Sequence, residues 1–277
     1  MGHLSSLVIL LAPLVQLGTE SSVDDEFVGP PAPPQLEGSR GGELTDEERR
    51  AIVFGPGFGE RFSAHRLNYA VAGVNDLKMQ LSFKYRFVRD APAFVAFTNV
   101  IGWDIYEDSY PYRDINFQPE LFYRFDVRAD QEIRLDLGYW HNSNGKDGDE
   151  SRAWDRLFAR GIVPGTLWGR EFVAIPSLFT TVGRGRRNPD IDEFLGEWEL
   201  GFVWTDVISP DEPGDDLDLL LNLWGGEGTV QLGLQYRLET YRWNPHLFAQ
   251  FFSGYGDTLI EYDERKTEFR VGLSFYE

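Results

Sequence analysis

The chain has 277 residues, no cysteine and a formal charge of −19 at pH 7. Structural disulfides and thiolate metal sites are therefore excluded, and nucleic acid, which calls for a basic patch, is excluded as a natural partner. Hydrophobic residues make up 42% of the chain and aromatics 15%, with twelve Tyr and eight Trp, on a length that suits one barrel; such rings fit the interfacial girdles of a membrane barrel, and a soluble β-protein could hold them too.

No apolar run approaches the roughly 20 residues that a spanning helix needs. The longest, residues 7–17, contains Pro13 and lies at the very start, so residues 1–18 read as a secretory signal, with only His3 adding to the charge of the N-terminal amine. Residues 19–60 read as a flexible segment. They hold Pro30, Pro31, Pro33 and Pro34, then Gly38, Gly41 and Gly42, then a charged stretch at 43–50, and such a composition cannot bury enough apolar surface to offset its ordering entropy. A short helix at 45–52, with Thr45 as N-cap and Glu48 three residues on, fits the capping-box pattern.

Residues 61–277 change to a period of two. Leu77, Met79, Leu81, Phe83 and Tyr85 alternate with Lys78, Gln80, Ser82, Lys84 and Arg86. Leu121, Tyr123, Phe125 and Val127 alternate with Glu120, Arg124 and Asp126, and runs around Leu232 and Val271 repeat the pattern. Successive strand side chains point to opposite faces, so each run has one apolar and one polar face. A soluble sandwich or lipocalin-like barrel would alternate as well, but the mid-strand charges favour a polar lumen inside an apolar exterior. Candidate strands fall at 66–73, 77–88, 93–105, 116–128, 131–143, 151–163, 167–181, 193–205, 216–224, 227–238, 244–253 and 266–276. The expected fold is all-β: a transmembrane antiparallel β-barrel of twelve strands, an even number as in bacterial single-chain barrels.

The most informative stretch is Tyr139-Trp140-His141-Asn142-Ser143-Asn144-Gly145, followed by Ser151-Arg152-Ala153-Trp154-Asp155-Arg156. Ile133, Leu135, Leu137 and Tyr139 form an apolar face, and His141 and Ser143 continue its parity. Lys146, Asp147, Gly148, Asp149 and Glu150 are rich in turn formers. A turn centred on Gly148 places His141 opposite Asp155, with Cβ atoms about 4.5–5.5 Å apart. One hairpin then presents nucleophile, base and acid on the lipid-facing side. A serine hydroxyl needs a histidine to take its proton, and a carboxylate fixes the imidazole tautomer and stabilises the imidazolium. Gly145 permits the close backbone approach of an oxyanion-binding N–H. The plain alternative is also open: a His and a Ser near a strand end are ordinarily surface residues, Trp140 and Trp154 can be interface anchors, and an acidic hairpin is ordinarily solvated.

His141-x-Ser143-Asn144-Gly145, then Ser151-Arg152-x-Trp154-x-Arg156, resembles the signature of the outer membrane phospholipase A (phospholipase A1) family. Further stretches fit the resemblance: Asn68-Tyr69, Ser109-Tyr110-Pro111-Tyr112-Arg113 leading to Gln118-Pro119-Glu120-Leu121-Phe122, Asn188-Pro189-Asp190-Ile191, and Ser253-Gly254-Tyr255-Gly256-Asp257. It runs from about residue 60 to the end. The resemblance implies a calcium-dependent hydrolase of acyl esters in phospholipids and lysophospholipids, integral to a Gram-negative outer membrane and active as a homodimer. Ser143 would be the nucleophile and His141 the general base, with Asp155 where the family has asparagine. Calcium would bind Ser151 and the carbonyl of Lys146, with Ser109 donated by a second copy. Arg187 stands where the family has an acid of a second calcium position, so that position is expected to be weakened, unless Asp147 and Asp149 substitute. The sequence names no partner for His65 or His246, His65 reading as structural, and residues 183–187 read as a loop without the P-loop pattern. The rival readings are a non-catalytic structural or channel-forming barrel and a soluble β-sandwich hydrolase.

Overall fold

The computed structural model describes residues 57–58, 61–88, 91–208, 217–238 and 245–275, all within one compact unit, Gly41–Glu277. The expected signal at 1–18 and the helix at 45–52 lie outside the described residues, as does nearly all of the 19–60 segment.

A two-residue strand β1 (Gly57–Phe58) and the short β2 (Phe62–Ala64) precede twelve strands: β3 (Asn68–Ala72), β4 (Leu77–Arg86), β5 (Ala93–Trp103), β6 (Tyr112–Arg128), β7 (Ile133–Ser143), β8 (Ala153–Leu167), β9 (Arg170–Arg184), β10 (Trp198–Trp204), β11 (Leu217–Trp224), β12 (Thr229–Arg237), β13 (His246–Gly254) and β14 (Lys266–Phe275). Each pairs antiparallel with the next, and β14 pairs with β3, so the sheet closes into a twelve-strand barrel. β2 continues the line of β3 along β4, with Ala64 opposite Phe83 and Tyr69 opposite Gln80.

Burial is inverted relative to a soluble core. Leu81 is 60% exposed, Leu178 67% and Phe269 61%, whereas Glu120 and Arg270 are 1% exposed and Asp136 and Gln250 fully buried. Water on the outside would penalise those leucines, and lipid does not. The period-two runs therefore turn their apolar faces to the membrane and their polar faces to the lumen, and a soluble sandwich does not fit.

Buried charges in the lumen are paired, as a low-dielectric interior requires. Glu120 contacts His65 Nε2, Arg66 Nη2 and Arg160 Nη2, each at about 3.0 Å. His65 thus has a partner that its local sequence does not reveal, and His246, buried at the start of β13, is also held by an interaction. Arg124 and Asp136 form a two-pronged pair at 2.7 and 2.8 Å.

The segment between β13 and β14 folds into the barrel mouth. Lys78 Nζ donates to the Asp257 backbone carbonyl (2.8 Å) and carboxylate (2.6 Å), and Arg270 bridges Asp257 and Asp76. Leu259 and Tyr262 join an apolar cluster with Trp140, Trp154, Phe158, Phe179 and Ile191. Here the expected strand at 193–205 is corrected. Residues Ile191–Leu195 form a helical turn, α1, ended by Gly196 at φ 69°, and β10 starts only at Trp198. Alternation restarts after that glycine, whose left-handed backbone breaks the chain direction.

Candidate active site

The hairpin of β7 and β8 carries His141, Ser143 and Asp155. Its register pairs His141 with Asp155 and Ser143 with Ala153. His141 Nδ1 lies 2.7 Å from Asp155 Oδ1, with side chains 31% and 30% exposed on the outer wall. Ser143 is two residues further along the same face of β7, opposite Phe117 of β6. At about 3.3 Å rise per residue the two backbones stand near 7 Å apart, and no hydrogen bond joins Ser143 to His141 among the described residues. With Nδ1 engaged by the carboxylate, Nε2 is the nitrogen left for the serine. Continuing the β6–β7 register places Pro119, which has no N–H, opposite His141.

Two further residues shape Asp155. The Tyr139 hydroxyl donates to the same Oδ1 that contacts His141. On β9, the register slips so that Asp155 faces Gly183 while Arg156 faces Thr181. A Cβ on Gly183 would lie 2.6 Å from Asp155 Oδ2, so only glycine leaves room for this carboxylate. Tyr139 was counted simply as apolar by its parity, and Gly183 read as loop although it lies within β9. The signal that could have flagged Gly183 is its place in the strand next to β8, visible only once the bulge at Val182 is known.

The turn is held by Asn144, whose Oδ1 accepts from the backbone N–H of Arg152 (3.0 Å) and whose Nδ2 donates to the Glu150 carbonyl (2.8 Å). Gly145 takes φ 67° immediately after it, the left-handed backbone that glycine adopts without strain. Gly148–Glu150 form a 3-10 turn with Ser151 just beyond. Lys146 Nζ is engaged by the Arg113 carbonyl (2.9 Å) and Glu150 (3.2 Å), leaving its own carbonyl as its available ligand atom. Ser109 lies on the loop between β5 and β6 at φ 67°; no hydrogen bond among the described residues joins it to Lys146 or Ser151. Arg187 pairs with Asp149 at 2.5 Å on the surface.

Trp140 and Trp154 are not interface anchors. They are 7% and 1% exposed and point into the lumen, where Arg156 sits 3.8, 3.8 and 3.7 Å from the ring centroids of Trp140, Trp154 and Phe179. This cation–aromatic box ties β7, β8 and β9 together directly behind His141 and Asp155.

Fold and site together define an integral β-barrel membrane protein with an acid–histidine–serine array on its lipid-facing wall. A family model described as Phospholipase A1 matches residues 60–275. The Phospholipase A1 of Escherichia coli K12 is 30% identical over 215 residues, covering 73% of this chain and 70% of that protein; that of Klebsiella pneumoniae is 28% identical over the same length, covering 73% and 71%. Among solved structures, outer membrane phospholipase A from Escherichia coli superposes with a TM-score of 0.66 at 24% identity, covering 77% of this chain and 98% of that one. The Salmonella typhi outer membrane phospholipase, a dimer with bound calcium, gives 0.65 at 21%, covering 84% and 98%. The chain belongs to the phospholipase A1 family. It is an integral outer membrane protein and an esterase-type phospholipase.

Proposed function

We propose that the chain hydrolyses acyl ester bonds of phospholipids and lysophospholipids through Ser143, His141 and Asp155, as a calcium-dependent homodimer. The observation that carries this reading is the His141–Asp155 contact on the outer wall, with Ser143 on the same face. His141 Nε2 takes the Ser143 proton as the hydroxyl oxygen adds to the ester carbonyl. Asp155 holds the imidazole and stabilises its cation. The protonated His141 then returns the proton to the leaving alcohol, a lysophospholipid or glycerophosphoryl product, and leaves an acyl-serine. Water, deprotonated by His141, hydrolyses that acyl-serine to free fatty acid and restores the hydroxyl. The Gly145 backbone N–H is the donor for the oxyanion. An array on the lipid-facing wall meets acyl esters already dissolved in the membrane.

The donor set of the turn fits calcium, a hard cation that takes oxygen ligands. The Lys146 carbonyl and Ser151 hydroxyl would hold it, with Ser109 from a second copy, and Asp147, Asp149 and Glu150 lie in the same acidic turn. Bound there, calcium would supply positive charge beside the developing oxyanion. The Salmonella typhi relative, a calcium-bound dimer, supports the assembly and the ion.

The test is lysophospholipid release from phospholipid micelles by detergent-refolded protein, with calcium or with chelator. Wild type should be active only with calcium, and Ser143→Ala should lose at least about 10³-fold in kcat. Equal rates for the two proteins would refute the assignment, and activity that survives chelation would remove the calcium.

A further inference from the structure

Asp155 places a carboxylate on the membrane-facing wall, where an unsolvated charge is costly and needs donors. Its surroundings supply few. From β7 come Tyr139 and His141, both aimed at Oδ1. From β9 comes Gly183, which has no side chain. Its own strand offers the apolar Leu157 as the next outward residue. Among the described residues no Lys or Arg forms an ion pair with Asp155, so the Tyr139 hydroxyl is the one donor besides the base itself.

The geometry follows from register. Tyr139 lies opposite Leu157 and His141 opposite Asp155, so the tyrosine reaches one diagonal step across the hairpin, within range of a long side chain. That single oxygen thus carries two donors, one from the base and one from a group with no proton-transfer duty.

We infer that Tyr139 is a positioning residue whose hydroxyl, by donating to Asp155 Oδ1, keeps the carboxylate turned toward His141 Nδ1. The inference deepens the proposed function and rests on it. Without the hydroxyl, the carboxylate loses its one other donor among the described residues and swings off the imidazole, so the imidazolium formed in the reaction is less well stabilised. A hydrogen bond to a charged group contributes about 1.5–3 kcal/mol, which corresponds to a loss of about tenfold or more in kcat.

The experiment is a double-mutant cycle on detergent-refolded full-length protein, using micellar lysophospholipid and reading kcat and KM separately. Tyr139→Phe should lower kcat about tenfold and leave KM within about twofold. In an Asp155→Asn background, where the acceptor is neutral, Tyr139→Phe should change kcat by less than about twofold. An unchanged kcat, a loss carried by KM instead of kcat, an equal loss in both backgrounds, or a barrel that fails to refold would each overturn the inference. A wild-type protein without hydrolysis would instead refute the proposed function, so the two failures are separable.

Discussion

Replacing Gly183 by alanine adds one methyl group on β9 at a point where the built Cβ lies 2.6 Å from Asp155 Oδ2, 3.2 Å from its Cβ and 3.3 Å from its Cγ. Carbon and oxygen at that separation repel strongly, and ordinary contact begins near 3.4 Å. The nearest atoms belong to a short side chain, so the strain falls on the carboxylate before it falls on the sheet. To clear the methyl, Asp155 must withdraw by roughly 0.8 Å. Because β8 lies between β9 and β7, that shift drives the carboxylate toward His141, whose Nδ1 already stands 2.7 Å from Oδ1, so the pair must turn out of its hydrogen-bond geometry. Misplacement on the ångström scale costs up to about 10²-fold in rate. Gly183→Ala should therefore lower kcat by about 10–100-fold, with the heat-modifiable gel mobility of the folded barrel preserved. The assay is ester hydrolysis by refolded protein beside Gly161→Ala, where the added Cβ meets only Pro176 on the neighbouring strand, its nearest atom at 3.2 Å. Unchanged activity in Gly183→Ala would refute the view that this glycine makes room for the carboxylate.

Two predictions concern the lumen. Burial alone would raise the Asp257 carboxyl, but Lys78 and Arg270 hold it well below the ordinary carboxylate range. A depressed folded-state value means stability that is present above the unfolded value, near pH 4, and is lost as pH falls below it. The guanidinium unfolding midpoint should thus drop on acidification from about pH 4, and the drop should shrink in Asp257→Asn; identical acid profiles would contradict the role given to this pair. Glu120→Gln removes the charge shared by His65, Arg66 and Arg160, leaving buried guanidinium groups without their anion. Equilibrium unfolding should show a loss of about 3 kcal/mol, and a loss within experimental error would show that the lumen tolerates the unpaired cations.

Strands such as β4, β6 and β12 were legible because strict alternation forces opposite faces, and one face of each is polar in mid-strand, charged in β4 and β6. The hairpin was legible because Gly148 and its acidic neighbours fix the turn, and the turn fixes which residue faces His141. What could not be read depends on distant contacts. Glu120 meets His65 from the other side of β4 and β5, and no local pattern encodes that. The segment around Leu259 and Tyr262 reads as a polar loop yet folds inward, because its charged residues find partners on β4 and β14. Tyr139 passed as one more apolar position, since period-two reading sees its ring and not the reach of its hydroxyl. Gly183 faces Asp155 only through the slip at Val182, and such an irregularity leaves no composition signal. Trp140 and Trp154 illustrate the converse: their type suits an interface, but their parity already assigned them to the lumen, where Arg156 occupies the space between them.

The most direct test of the proposed mechanism is covalent trapping of the Ser143 hydroxyl. Refolded protein with calcium is treated with a fluorophosphonate and mapped by peptide mass spectrometry. One adduct is expected, on Ser143, absent in His141→Ala. No adduct in active protein, or an adduct on another residue, would contradict it.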